Sequence, residues 1–151
     1  MLGDSSFTLL REIGALRLTP EEEIRFSIDA YRGYRYVSIR RYVQMDGLFV
    51  ATRDGLTMTP EIVRLLAPKV LALPAPLTDG VLGKFAKRAG TCVVAAVKSV
   101  KGKPVLSLRQ WQDDTGWTQK GIVLPLDKIA EVKELFRLTQ EALEERPADD
   151  F

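Results

Sequence analysis

Two short rows of the chain carry the side chains best suited to holding an anion. They are Ser38-Ile39-Arg40-Arg41-Tyr42 and Ser107-Leu108-Arg109-Gln110-Trp111. In an extended strand alternate residues share a face, so Ser38, Arg40 and Tyr42 stand together, as do Ser107, Arg109 and Trp111. A guanidinium brings a permanent charge and a rigid donor fork, and a neighbouring ring brings a stacking surface. The row around Arg40 is the richer one. Tyr31, Tyr34, Tyr36 and Tyr42 fall on the same expected face, on either side of an Arg32-Gly33 turn. Tyrosine also simply favours strands, so the cluster has a structural reading beside the chemical one.

Other chemistries are poorly served. Histidine is absent, which removes imidazole acid–base catalysis, the usual serine triads and most zinc or iron sites. Cys92 is the single cysteine; it forms no internal disulfide and reads as a strand residue in a reducing compartment. Asp113-Asp114 is an adjacent carboxylate pair in a turn with nothing of metal-ligand spacing beside it, and no glycine-rich strand-to-helix loop is present. The expectation is a protein that is not an enzyme and needs no cofactor or metal.

The rows sit in a repeat. Arg25 placed over Val94 continues without a gap to Tyr42 over Trp111, an offset of 69 positions (33 to 102 at the glycines). Gly33 meets Gly102, Ser38 meets Ser107, Arg40 meets Arg109 and Gly47 meets Gly116. After a three-residue deletion Gly55 meets Gly121. In the first copy the alternation predicts strands over 24–31 and 34–42, short strands over 48–52 and 56–58, and a helix from Thr59-Pro60-Glu61, a hydroxyl cap with proline in the first turn. Pro68 is expected to kink or interrupt that helix. The second copy predicts the same strand order and a helix over about 126–145, with Ile129, Val132, Phe136, Thr139 and Leu143 on one face. Antiparallel sheet followed by helix, twice, is an α+β architecture.

The expected organisation is an amino-terminal extension over 1–23, repeats over 24–73 and 91–146, a linker over 74–90 and a frayed tail over 147–151. The extension has both helical spacing (Phe7, Leu10, Ile13) and strand-like alternation (Leu16, Leu18). In the linker, Lys84, Lys87 and Arg88 extend the basic surface or are simply solvated. Net charge is only +2, but it is segregated. Residues 24–73 hold eight Lys/Arg against four Asp/Glu and residues 84–120 hold eight against two, whereas residues 121–151 hold four against eight. No run is long and apolar enough for a membrane helix. The amino terminus lacks the basic start and apolar block of a leader, so a cytoplasmic protein is expected (nuclear or nucleoid-associated according to source).

The run Ser99–Trp111, SVKGKPVLSLRQW, followed by KGIVLP over Lys120–Pro125, resembles the core of the transcriptional positive cofactor four family. That family's pattern is a basic-Gly-Lys turn, a strand ending in Arg-x-aromatic, then Lys-Gly-Ile and a helix. The resemblance covers about fifty residues of the second copy and, more loosely, 24–73 of the first. It implies a curved four-stranded antiparallel sheet with a carboxy-terminal helix, dimerisation, and binding of single-stranded or melted DNA. The two copies would then pack as an intrachain pseudo-dimer, β-β-β-β-α twice. Carried over by position, the turn cations are Lys101 and Lys103, with Arg32 in the first copy, and Lys98 leads into the same turn. The strand arginines are Arg109 and Arg40. The basic residue before the Gly-Ile step is Lys120, for which the first copy offers Arg53 while Asp54 lies directly over the lysine. The family's turn aromatic is Val100 here, matched by Tyr31 in the first copy. Its stacking tryptophan falls on Val43 and Gln112.

The expected activity is therefore single-stranded DNA binding, in transcription or DNA maintenance, through a basic, aromatic sheet surface. The expected partners are single-stranded DNA, with RNA as the alternative polyanion, transcription proteins, and a second copy of the chain. A different class of reading makes the tyrosine-rich face a protein-interaction or oligomerisation surface.

Overall fold

A computed structural model describes residues 7–145; the expected tail over 147–151 lies outside the described residues. The chain forms β1 (Thr8–Thr19), β2 (Glu22–Tyr31), β3 (Tyr34–Met45), β4 (Leu48–Met58) and α1 (Pro60–Leu71). It continues with β5 (Gly80–Arg88), β6 (Thr91–Val100), β7 (Lys103–Gln112), β8 (Gly116–Pro125), a 3-10 turn at Leu126–Lys128 and α2 (Ile129–Glu144).

Tight turns of one kind join the central strands. Arg32-Gly33, Asp46-Gly47 and Lys101-Gly102 all have positive φ at both residues, the mirror-image turn whose twist matches that of paired strands. The strands on either side then pair without a register break from Glu22↔Val43 to Tyr31↔Tyr34, and from Thr91↔Gln112 to Val100↔Lys103.

All eight strands belong to one antiparallel sheet in the order β1-β2-β3-β4-β8-β7-β6-β5. This corrects the expectation of two separate four-stranded sheet–helix repeats packed as a pseudo-dimer. β4 pairs with β8 through Gly55↔Gly121, so the two halves are a single curled sheet. The helices bind the halves further. α2 packs on β1 and β2 as well as on β8, and α1 packs on β5 as well as on β3 and α2. Phe136 of α2 lies edge-on to Phe26 of β2, with centroids 5.5 Å apart, and Lys133 donates to the carbonyl of Leu73 at 2.9 Å. One apolar cluster runs through both halves, from Leu16, Phe26, Ile39 and Leu56 to Val93, Leu106, Leu108 and Leu143. Burial of this size, rather than either half's local propensity, is the main stabilising term.

The expected extension and linker are the two outer strands. Neither has clean alternation because each contains register shifts, at Glu12/Gly14 and Arg17/Thr19 in β1 and at Val81/Gly83 and Ala86/Arg88 in β5. Each shift changes which residue faces the core, so a period of two is lost. The pairs expected as short strands over 48–52 and 56–58 are one strand, β4, with a bulge between them. α1 begins as expected, with Thr59 Oγ1 accepting from the Ile62 amide at 3.3 Å. It runs unbroken through Pro68. The hydrogen bond lost there, worth about 3 kcal/mol with its steric cost, is outweighed by burial of Ile62, Val63, Leu66, Ala67 and Val70.

Candidate functional site

The helices cover one face of the sheet, and the opposite face is open. Register places Arg25, Ser27 and Asp29 of β2 beside Arg40, Ser38 and Tyr36 of β3 on that open face. In the other half it places Val94, Ala96 and Lys98 of β6 beside Arg109, Ser107 and Val105 of β7. Arg40, Tyr42, Arg109 and Trp111 are all half-buried on this face and none is sealed in the core.

The arginines are held by the same device in both halves. A bulge in β4 lets Thr52 Oγ1 donate to the Arg41 carbonyl (2.9 Å) and accept from the Asp54 amide (3.1 Å). In β8, Thr118 Oγ1 donates to the Gln110 carbonyl and accepts from the Lys120 amide, both at 3.1 Å. Each bulge presents a carbonyl to the arginine. Arg40 Nη1 donates to Thr52 O at 2.9 Å, and Arg109 Nη2 reaches Thr118 O at 3.4 Å. The glycine after each bulge is required by contact. A Cβ on Gly55 would lie 2.7 Å from the Ile39 carbonyl oxygen, and one on Gly121 would lie 2.8 Å from that of Leu108.

Beyond this shared frame the halves differ. In the first, charge is satisfied internally. Glu23, nearly buried, pairs with Arg25 at 2.6 Å and Arg17 at 3.2 Å, and Arg41 pairs with Asp54 at 2.8 Å and Glu22 at 3.0 Å. The rings are also engaged. Phe7 stacks on Tyr31 (4.7 Å) and meets Tyr36 edge-on (5.7 Å), and the Arg25 guanidinium lies 4.1 Å from the Tyr42 centroid. Of the four tyrosines only Tyr34, 69% exposed, stands clear. Between Phe7 and Tyr42 runs a groove of about 630 Å³, lined also by Glu12, Arg25, Asp29 and Arg40 among others. Burial raises the Asp29 carboxyl above its ordinary value, against the opposing effects of the Ser27 hydroxyl and Arg40.

The second half is different in kind. Strands β5 to β8 contain no acidic residue, and the turn between β7 and β8 holds Asp113 and Asp114. Lys84, Lys87, Arg88, Lys98, Lys101, Lys103, Arg109 and Lys120 form no ion pair among the described residues. Lys98, Lys101, Lys103 and Lys120 are exposed. Trp111 lies edge-on to Trp117 at 5.1 Å, and Arg109 sits over Trp117 at 4.7 Å. Trp117, 47% exposed, is the ring this half presents.

The structure thus sets Arg109 and Trp111 at one end of β7 and the Lys98, Lys101 and Lys103 hairpin at the other. In the first half it gathers Tyr31 and Tyr36 around Phe7 at the turn end, with Arg40 and Tyr42 toward the far end of β3. Arg32 and Arg53 are exposed, Arg32 beside the Tyr31 ring at 5.2 Å. Sequence reasoning passed over Arg25, which caps Tyr42; Trp117, one of several rings the sequence offered for stacking, is the one that Arg109 covers. Pairing Trp111 with the first residues after the glycine turn was the available signal, since cross-strand neighbours share a face. No metal-holding group of His, Cys, Asp or Glu occurs among the described residues. No described helix is long and apolar enough to cross a membrane. The sequence matches no protein-family model and no curated protein.

Proposed function

We propose that this protein binds single-stranded DNA on the open sheet face, and that the second half does most of the binding. The observation that carries this reading is a set of cations that form no ion pair among the described residues, on four strands without a carboxylate: Arg109 over Trp117, Lys120 on the same bulged strand as Trp117, and Lys98, Lys101 and Lys103 at the hairpin end. Cations that track phosphates give an affinity that weakens with salt, and an exposed ring offers a base about 1–3 kcal/mol of stacking. The sequence resemblance to the transcriptional positive cofactor four family supports the same ligand and a role in transcription or DNA maintenance.

Duplex DNA is a poorer fit, because neither helix is free to enter a groove. Both are packed on the sheet, and α2 carries acidic residues on its exposed side. Fluorescence anisotropy with oligo-dT, duplex DNA and RNA of equal length at two salt concentrations tests the reading. Preferential binding of the single strand, weakened by salt and by Arg109→Ala and Trp117→Ala, is expected. Binding untouched by both substitutions would remove the site, and no binding would remove the function.

A protein-interaction role has its own supporting observation. Phe7, Leu9 and Leu10, all exposed, lie along β1 and just before it, and β1 is an outer strand of the sheet. A concentration-dependent size without oligonucleotide would favour it.

A further inference from the structure

Where β4 and β8 pair, each half has a corner, and the two corners are occupied by residues of opposite character. In the first half, Arg41 stands between Glu22 and Asp54, a cation closed by two carboxylates. The same offset of 69 that relates Gly33 to Gly102 carries Arg41 to Gln110, Glu22 to Thr91, Leu18 to Lys87 and Thr19 to Arg88. The pairings agree, with Thr19↔Glu22 answered by Arg88↔Thr91. Past the three-residue deletion, Asp54 answers to Lys120 as Gly55 answers to Gly121. The second corner has therefore lost both carboxylates and gained Lys87, Arg88 and Lys120.

Lys87 is the centre of it. Its Nζ donates to Thr57 Oγ1 of β4 at 2.9 Å and to Gln110 Oε1 of β7 at 3.1 Å. Both acceptors are neutral. The charged groups facing it are Lys120 from β8 and Arg88 from β5 itself; β4 and β7 bring only the threonine and the glutamine. Burial first, then Lys120 and Arg88, lower its ammonium from the ordinary 10.5 to about 8. An ammonium has three donors and two are used. Three cations held together without a counter-charge is an unfavourable arrangement that an incoming anion would relieve.

We propose that Lys87, Arg88 and Lys120 form a phosphate-binding corner at the junction of the two halves, seating one backbone phosphate of the bound strand. The proposal rests on the single-strand reading for its natural ligand. Its chemistry predicts proton uptake. A bound phosphate favours charged Lys87, so above pH 8 binding must first return the proton, and affinity falls as pH rises. From pH 7 to pH 9 the loss is about tenfold if the whole effect passes through this one group.

The test is anisotropy with oligo-dC, whose bases do not titrate in that interval, at pH 7, 8 and 9 on wild type, Lys87→Arg and Lys87→Met. Wild type is expected to lose about tenfold, Lys87→Arg to bind at all three without that loss, and Lys87→Met to bind several-fold more weakly at pH 7 and without pH dependence. The same pH profile in all three proteins, with binding intact, overturns the corner but leaves the function standing. Failure of wild type to bind any strand overturns the function. The corner is then read by adding sodium tripolyphosphate while the Lys87 Cε resonance is titrated. An upward move of its titration supports the site and an unmoved one overturns it.

Discussion

At the scale of the residue, what separates the two halves is not which cations they carry but what stands next to them. Arg40 and Arg109 occupy equivalent positions and donate to equivalent carbonyls, yet Arg40 has Asp29 nearby, whereas Asp54, which lines a cavity with Arg109, is already paired with Arg41. Arg109→Ala is therefore expected to lower the salt dependence of strand binding by about one unit of slope, and Arg40→Ala to change it little. Trp117→Ala is expected to cost about 1–3 kcal/mol of binding. Lys87 gives a stability prediction with a definite sign. Its folded value of about 8 lies below the ordinary 10.5. Below about pH 8 both states hold the proton and the folded chain carries the unfavourable charge. Between those values the unfolded chain binds more protons, so stability rises with pH. Thermal melts from pH 7 to 10 should show wild type gaining on Lys87→Met over that interval; parallel melts would refute a buried ammonium there.

At the scale of the element, the bulges in β4 and β8 do what a regular strand does not. On β4 three residues stand between Ala51 and Gly55 opposite the single Arg41 between Arg40 and Tyr42, and on β8 three stand between Trp117 and Gly121 opposite Gln110. This turns Thr52 and Thr118 into carbonyl supports for the arginines. The glycines that follow are the sensitive points. Gly55→Ala, with its Cβ 2.7 Å from a backbone oxygen, is expected to destabilise the fold by about 1–3 kcal/mol in urea unfolding. Gly80→Ala, with nothing within 4 Å, serves as the neutral comparison. The outer strands β1 and β5 were hidden in the sequence by their register shifts. Gly14 over Gly83, at the same offset as Gly33 over Gly102, was nevertheless there to extend the repeat back to them.

At the scale of the whole molecule, the halves depend on each other. A Cβ on Gly14 of β1 would meet Leu135 of α2 at 2.9 Å, Arg11 of β1 pairs with Glu145 at the end of α2, and the core is one cluster. A fragment of residues 1–78 lacks α2, which covers β1 and β2, and is expected to show no cooperative unfolding transition. In the full chain both tryptophans lie in the second half, so their fluorescence reports that half while far-ultraviolet circular dichroism reports both. The two probes are expected to unfold together. Separate transitions would show that the halves are independent domains.

The sequence by itself determined the local features, because those depend on neighbours a few positions away. They are the positive-φ turns at Gly33, Gly47 and Gly102, the inner strands with their parity, the Thr59 cap, and the shared face of Arg109 with Trp111. Only the tertiary structure decided the features set by contacts across the molecule. It joined the halves into one sheet at Gly55 and Gly121 and laid α2 on the first half. It also closed the tyrosine cluster with Phe7, Arg25 and Glu23, and left the cations of β5 to β8 without an ion pair among the described residues. Periodicity records which face a side chain takes, whereas pairing and neutralisation depend on which distant residue arrives opposite it.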